Sequence, residues 1–316
     1  MTDGTHPGSL MARLEAPSTD TRTRLAVIAD PHVATRAEGT SKLFEHTLEH
    51  FERAVRDADA RDVDAVLSPG DLTKDGEPWN YDAVDDALAE LSAPFYAVPG
   101  NHDVPKKRDE HETMPVSGFA ERYAGGELPF RARVGGVDLL GLNSAGTRER
   151  LYNTHEGAVP PNQLDWLARE LADSEAPLVL THFNLPAVSD QIPHHRDTVE
   201  PEMAIPPVSR DTDALLEALS AGTDPLVLTG HLHLPATGVS EGVREVMAPT
   251  TCSFPQSYLL VEVAPEGTTI RLVPVTDRSG MAYGHRARSG DSVTARGLTA
   301  IAAARLATFP LVDERG

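Results

Sequence analysis

LAVIADPH (residues 25–32) is an apolar run that stops abruptly at an aspartate and a histidine. The chain repeats this pattern in AVLSPGDL (residues 65–72) and in FYAVPGNHD (residues 95–103). Short apolar runs of this kind predict buried strands of a parallel or mixed sheet. Helical apolar patterns over residues 41–60 and 79–91 lie between the runs, so the sequence predicts a βαβαβ unit with right-handed crossovers.

Two later strands end in the same way, at THF (residues 181–183) and GHLH (residues 230–233). Open α/β sheets build their sites just beyond the carboxyl ends of the strands. We therefore expect two aspartates, one asparagine and four or five histidines to converge: Asp30, Asp71, Asn101 and four or five of His32, His102, His182, His231 and His233. Oxygen and imidazole ligands of this kind suit a pair of divalent metal ions.

Each motif alone has a simpler explanation. An isolated Asp-x-His or Gly-Asp is usually a turn, and His182 alone would more often be a buried core histidine. The pair His231 and His233 is more informative. If the two residues lie on a strand, their side chains share one face, because side chains in a strand alternate with a period of two.

Composition excludes several classes of protein. No apolar run approaches the ~20 residues of a membrane span, and the N-terminus lacks the basic and apolar regions of a signal peptide. Cys252 is the only cysteine, which excludes an intrachain disulfide and a cluster of thiolate metal ligands. These features predict a cytoplasmic protein.

The charge is strongly acidic, with a formal net value of −20. A broad nucleic-acid interface needs a basic surface, so this charge argues against nucleic acid as a partner. Lysine is scarce, and the acidic surface predicts adaptation to high salt, where screening weakens self-repulsion. An ordinary acidic protein from a GC-rich genome is the alternative.

The remaining sequence predicts two packed mixed β-sheets flanked by helices. Helices are expected at residues 162–173 and 211–220, and strands at 134–143, 177–181 and 225–229. Three more strands, at residues 242–248, 257–264 and 268–275, are expected to form an antiparallel meander that completes the second sheet.

Three segments have no strong pattern of their own. Residues 1–22 lack periodicity and predict a disordered tail before a catalytic domain at residues 23–276. Residues 277–316 predict a C-terminal extension with one short amphipathic helix, which covers the domain's own core or docks on a partner chain. The Pro-rich stretch at residues 186–210 predicts a structureless substrate rim, with His194 and His195 as solvated rim residues.

Five motifs in order resemble those of the calcineurin-like metallophosphoesterase superfamily: Asp30-Pro31-His32, Gly70-Asp71, Gly100-Asn101-His102-Asp103, Thr181-His182 and Gly230-His231-Leu232-His233. The resemblance covers roughly residues 24–275. It implies an α/β/β/α sandwich and an enzyme that hydrolyses phosphoric esters. It also implies a dinuclear centre of divalent metal ions such as Mn, Fe or Zn.

The resemblance assigns roles residue by residue. The first ion takes Asp30, His32, Asp71 and His233, and the second takes Asp71, Asn101, His182 and His231, so that Asp71 bridges. A bridging hydroxide would attack phosphorus. His102 resembles the family's catalytic histidine that binds no metal, and it would stabilise the phosphate or protonate the leaving alkoxide. Asp103 would support the ligands from outside their shell.

Branches of the superfamily differ just after the bridging aspartate. The segment from Gly70 to Tyr81 is similar to that of class III cyclic-nucleotide phosphodiesterases, whereas serine/threonine and purple acid phosphatases carry other residues there. Lys74 is the only cation near the motifs in sequence, and Arg148 and Arg150 are too remote to place. A site with few cations suits a monoanionic diester, so we expect a phosphodiesterase acting on a small-molecule phosphoester.

Other functions stay open at this point. The alternatives are a phosphomonoesterase acting on a small metabolite and a non-catalytic binding module with the same fold. A DNA nuclease is disfavoured by the missing basic surface. The sequence leaves open whether the chain forms a homodimer.

Overall fold

The computed structural model describes residues 7–107, 109–145, 157–210 and 212–316. Within these residues the strands form two sheets. The first sheet has the order β13-β1-β12-β11-β2-β3-β4. It contains β1 (Ser9–Leu14), β2 (Thr23–Val27), β3 (Ala65–Ser68), β4 (Phe95–Ala97), β11 (Ser257–Ala264), β12 (Gly267–Pro274) and β13 (Val312–Asp313).

The second sheet has the order β5-β6-β7-β8-β10-β9. Its strands are β5 (Phe130–Val134), β6 (Val137–Gly141), β7 (Pro177–Leu180), β8 (Leu226–Thr229), β9 (Ala236–Ser240) and β10 (Val243–Met247). The helices are α1 (Thr47–Ala60), α2 (Pro78–Leu88), α3 (Val116–Tyr123), α4 (Pro161–Ala172), α5 (Pro186–Ser189), α6 (Gln191–Thr198), α7 (Thr212–Leu219), α8 (Arg278–Asp291) and α9 (Val293–Ala307).

The two sheets pack face to face, with helices on their outer faces. Along β2, Leu25 and Val27 point into the core between the sheets. Ala26, the residue between them, packs with Phe51 of α1 on the outer face of the first sheet. Helices α4 and α7 cover the second sheet in the same way. A strand that is buried on both faces has a continuous run of apolar residues. The sequence therefore predicts this α/β fold of two mixed sheets correctly.

The parallel order of the strands is what assembles the site. β2, β3 and β4 pair in parallel in the first sheet. β6, β7, β8 and β10 pair in parallel in the second. The carboxyl ends of β2, β3 and β4 therefore lie at one edge of their sheet, and those of β7 and β8 lie at one edge of theirs.

The prediction of a disordered tail is wrong for the described part of residues 1–22. Ser9–Leu14 forms β1, which pairs antiparallel with β12. Met11 and Leu14 are fully buried. The sequence of this strand has no clear alternation. The strand therefore depends on its pairing with β12 and on the core beneath it rather than on a local pattern.

The predicted meander is correct in the antiparallel pairing of β11 with β12, but wrong in the sheet to which these strands belong. β10 joins the second sheet beside β8, but β11 and β12 join the first sheet, where β11 lies antiparallel to β2. The chain crosses between the sheets over residues 248–256. Apolar pattern identifies a buried strand but not the sheet that receives it, because both sheets face the same core.

Two segments are more regular than predicted. The stretch at residues 186–210 contains α5 and α6 rather than being structureless. The C-terminal extension holds two long helices, α8 and α9, which begin at side-chain caps from Asp277 and Ser292. Ile301 and Ala302 of α9 pack on the chain's own core, which is the first of the two arrangements expected for this extension. Within the described residues, no helix is both long and apolar enough to span a membrane.

Candidate active site

The structure brings all the sequence-predicted site residues together. They lie in loops at the carboxyl ends of β2 (Asp30, His32), β3 (Asp71), β4 (Asn101, His102), β7 (His182) and β8 (His231, His233). Most are almost completely withdrawn from solvent, and His102 and His231 are partly exposed. The ends of the parallel strands therefore bring these side chains to one place.

The backbone around the cluster is unusual. Asp30, His32, Asp71, His231 and His233 all have positive φ, between 44° and 73°. Non-glycine residues rarely adopt this left-handed region, and such strain concentrates at functional sites. The expectation that His231 and His233 share a face of a strand is wrong, since both follow β8 in a tight loop. Their left-handed conformations, rather than strand alternation, bring them to the cluster.

Glycine is required where two of these loops meet. A Cβ on Gly100 would lie 2.1 Å from Asp71 Oδ1, and a Cβ on Gly230 would lie 2.5 Å from Asp30 Oδ2. Both contacts are far inside van der Waals range. The two glycines therefore let the backbone approach the carboxylates closely.

One group of atoms consists of hydrogen-bond acceptors that face each other. His182 Nδ1 donates to Pro69 O (2.9 Å), so His182 Nε2 carries no proton when the ring is neutral. That Nε2 lies 3.0 Å from Asn101 Oδ1 and 3.5 Å from Asp71 Oδ2. His231 Nε2 donates to Pro207 O (2.8 Å), which leaves its Nδ1 facing Asn101 Oδ1 at 3.2 Å.

Four lone-pair atoms directed at one another repel unless a cation lies among them. The set fits the second metal position of Asp71, Asn101, His182 and His231. Backbone carbonyls that fix the tautomer of a ligating histidine are a usual feature of metal sites. Burial lowers the pKa of His231 to about 3, which keeps this ring neutral as a ligand must be.

A second group of atoms adjoins the first. His32 Nε2 lies 3.1 Å from His233 Nε2 and 3.4 Å from Asp71 Oδ2, and His233 Nε2 lies 3.4 Å from Asp30 Oδ1. These residues are the ones assigned to the first metal position. Asp71 Oδ2 borders both groups, which fits a bridging carboxylate. Burial raises the pKa of the Asp71 carboxyl, but the nearby imidazoles and Lys42 outweigh it and hold that pKa well below its usual range.

His102 is held by a carboxylate that the sequence did not single out. Its Nδ1 donates to Lys74 O (2.8 Å) and to Asp75 Oδ1 (2.9 Å), so its Nε2 points away from both of these groups. Asp75 also contacts Lys74 and Lys106. Burial opposes ionisation of Asp75, but the hydrogen bond from His102 and these lysines hold the pKa of its carboxyl well below its usual range.

Asp103 supports the loops from behind, as expected. It accepts hydrogen bonds from the backbone of Gly100, Leu72 and Thr73, all at 3.0 Å. These bonds join the loop that carries Asp71 to the loop that carries Asn101. Burial, with a contribution from the Asp71 charge, raises the pKa of Asp103 to about 6.

Three further residues at the site escaped the sequence analysis. Lys42 lies beside His32 and His102, and Arg288 reaches the site from α8. Cys252 Sγ lies within 4.8 Å of ligand atoms of His32 and His233. Cys252 follows β10, so the rule for strand ends applies to it as well. Lys42 and Arg288 had no comparable signal, because one lies in a loop and the other in a helix far along the chain.

The cations at the site differ from the one expected from sequence. Lys74 is not a cation available for substrate, since its Nζ contacts Asp75 (2.7 Å) and Glu77 (3.5 Å). Lys42 and Arg288 line the site instead. Burial lowers the pKa of Arg288 to about 10, so it stays charged at neutral pH. Arg148 and Arg150 lie outside the described residues.

The cluster opens into a cavity of about 390 Å³. Its floor includes Asp71, Asn101 and His102. One wall is largely apolar and comes from the loop after α6 and from α9, with Ile205, Pro206, Pro207, Ala295 and Leu298. The end of the stretch at residues 186–210 thus forms part of the rim, as expected, whereas His194 and His195 lie on α6.

Comparison with known proteins agrees with this geometry. The chain is 25% identical over 235 residues to the 3′,5′-cyclic adenosine monophosphate phosphodiesterase CpdA of Haemophilus influenzae, covering 72% of this chain and 76% of that protein. It is 30% identical over 198 residues to a cAMP/cGMP dual specificity phosphodiesterase of Mycobacterium tuberculosis, covering 60% of this chain and 54% of the other.

Among solved structures, a dimetal phosphatase from Danio rerio superposes with a TM-score of 0.60 at 15% identity, over 82% of this chain and 98% of the other. This likeness shows the shared fold. The family model for calcineurin-like phosphoesterases matches residues 23–235, a segment that contains the whole cluster of candidate ligands. Fold, motifs and match agree that the protein is a phosphoric ester hydrolase, and the chain belongs to the calcineurin-like phosphoesterase family.

Proposed function

We propose that this protein hydrolyses phosphodiester bonds with two divalent metal ions, and that cyclic nucleotides are its substrate class. The observation that carries the proposal is the pair of adjoining acceptor clusters on either side of Asp71. The cyclic nucleotide phosphodiesterases among the relatives support the substrate class.

The chain's own residues have distinct tasks in this reaction. Asp30, His32 and His233 would hold one ion, Asn101, His182 and His231 would hold the other, and Asp71 would hold both. When bound, such an ion pair supplies a nucleophilic water of lowered pKa and offsets the charge of the phosphate. The carbonyls of Pro69 and Pro207 keep the ligand nitrogens of His182 and His231 aimed inward.

His102 would act on the substrate without binding metal. Its Nδ1 is fixed by Lys74 O and Asp75, and its Nε2 lies on the side of the ring where Lys42 lines the cavity. From there it can stabilise a phosphate oxygen or hold the proton that the leaving alkoxide takes. General acid catalysis of this kind contributes ~10²–10⁴ in rate.

The apolar wall supports a diester substrate. A diester presents two organic groups, and Ile205, Pro207 and Leu298 offer a surface for the group that does not leave. The two cations that line the cavity favour the other candidate, a monoester dianion. Phosphomonoester hydrolysis is therefore the second function to be tested.

The deciding experiment compares kcat/KM for bis-p-nitrophenyl phosphate and p-nitrophenyl phosphate at one pH, after loading with Mn, Fe or Zn. The diester should be preferred, and 3′,5′-cyclic AMP should be hydrolysed by the same preparation. His102→Ala is the matched control, since it should keep both metals and lose ~10²–10⁴ in kcat. A clear preference for the monoester would make the protein a phosphatase.

A further inference from the structure

Two cations of the active-site cavity form no salt bridge with a carboxylate among the described residues. Lys42 and Arg288 both line the cavity, and neither forms an ion pair within the described chain. The chain carries 48 acidic and 28 basic side chains, so a cation has many carboxylates within reach. Asp71 interacts with Lys42 through charge, and Asp30 interacts with Arg288 in the same way, but neither carboxylate forms a direct ion pair with the cation. A buried cation without a direct ion pair is costly, and such groups are usually retained for a function.

Arg288 is the more buried of the two, with 3% of its surface exposed. Its Nη1 donates to His233 O (3.0 Å) and Phe254 O (2.5 Å), which fixes the side chain against the loop that carries a candidate ligand. Its other guanidinium nitrogens have no hydrogen-bond partner in the described residues. A planar guanidinium with free donors is suited to bind phosphate oxygens.

Lys42 lies next to His102. Its Nζ is 3.4 Å from His102 Nε2 and 3.2 Å from His32 Nδ1. An ammonium group carries three N–H donors, so these two contacts leave at least one donor for an acceptor in the cavity.

Ser253 is a third polar group without a partner. It is 1% exposed, it lines the same cavity, and its hydroxyl has no hydrogen-bond partner in the part of the chain that the structure describes. A buried unpartnered hydroxyl costs free energy unless a ligand or water satisfies it.

We propose that Lys42, Ser253 and Arg288 form an anion subsite that binds phosphate oxygens of the substrate beside the metal cluster. The inference rests on the proposed function, because it concerns the same cavity. The oxygens belong either to the reacting phosphoryl group or to a second phosphate on the same substrate. Both sources present the same charged acceptors to these donors.

Calorimetric titration of the metal-loaded protein with inorganic phosphate tests the subsite without measuring turnover. Lys42→Met and Arg288→Gln should each weaken phosphate binding about tenfold or more, as expected for the loss of a charge-assisted hydrogen bond. Metal content should stay unchanged. A second titration with adenosine 3′,5′-bisphosphate identifies the source, since weakening confined to that ligand would assign the subsite to a second phosphate.

Arg305→Gln is the matched control. Arg305 is another largely buried arginine of the C-terminal helices, and it donates to Pro235 O and to Gln191 rather than lining the cavity. It should leave phosphate affinity within about twofold of the parent protein. If Arg305→Gln weakens binding as much as Arg288→Gln, the effect comes from helix docking and the proposal is wrong.

The proposal is equally wrong if Lys42→Met or Arg288→Gln keeps affinity for both ligands within about twofold. Lys42 belongs to neither C-terminal helix, so its variant tests the subsite even if Arg288→Gln fails to fold. The outcome is separate from that of the proposed function. Phosphate binding that depends on these residues, in a protein without diesterase activity, would uphold the subsite and reject the reaction.

Discussion

Asp75→Asn removes one negative charge from the partner of His102 and leaves the shape of the contact intact. The asparagine oxygen can still accept from His102 Nδ1, and Lys74 O still holds the same nitrogen at 2.8 Å. The orientation of the imidazole should therefore survive. What is lost is the negative charge that the carboxylate places beside His102, Lys74 and Lys106.

The expected loss of activity follows from the hydrogen bond between His102 and Asp75. Hydrogen bonds to charged groups contribute about 1.5–3 kcal/mol. The Asp75 side chain is 34% exposed, so solvent screening places this contact at the lower end of the range. A loss of about 1.5 kcal/mol corresponds to a decrease of about tenfold in kcat. KM and metal content should change little, because Asp75 lies outside the candidate ligands.

The assay is a double-mutant cycle on diester hydrolysis with Asp75→Asn, His102→Ala and the double variant. If Asp75 acts through His102, the second substitution costs nothing further once His102 is absent. Asp109→Asn is a suitable control, since Asp109 accepts from the backbone of Lys106 in the same polar region. Additive losses in the double variant would show that Asp75 does not act through His102.

Three further outcomes are expected. Asp71→Ala should weaken both metal positions, so elemental analysis should find less metal than in His231→Ala, which removes a ligand from one position; equal contents would contradict the bridging role. Burial raises the pKa of Glu245 to about 7, so its favourable contribution to stability is complete below pH 4.5 and is lost as the pH rises to 7. The loss is about 3 kcal/mol, and thermal melts of Glu245→Gln should show a flatter pH dependence than the parent protein. Finally, the net charge of −20 predicts that the melting temperature rises from low salt to molar potassium chloride, and a flat response would contradict salt adaptation.

The ligand cluster could be predicted because each loop is local in sequence. An apolar run fixes a strand, and the strand's end fixes where Asp30, Asp71 and Asn101 appear. The parallel order then joins the loops without further information. His231 and His233 were found for an incorrect reason, since the geometry that unites them is a left-handed loop rather than a strand.

Contacts between distant segments could not be predicted in the same way. Strand β11 belongs to the first sheet because it pairs with β2, and no local pattern distinguishes this from a place in the second sheet. Lys42 resembles any loop lysine until α8 and the loop after β10 surround it. Lys74, which is adjacent to the motif in sequence, turns toward Asp75 and Glu77 instead. Proximity in sequence was a poor guide to charge at the site.

The cavity combines residues from two parts of the chain. Every candidate metal ligand lies within residues 23–235, the segment that matches the family model. The opposite side of the cavity includes Ser253, Arg288 and Leu298, which all follow that segment. Relatives that share the candidate metal ligands can therefore differ in the residues on the opposite side of the cavity. Substrate choice in this protein should follow from the C-terminal helices rather than from the shared motifs. Exchanging Leu298 for a larger side chain should consequently alter KM among diesters and leave metal content unchanged.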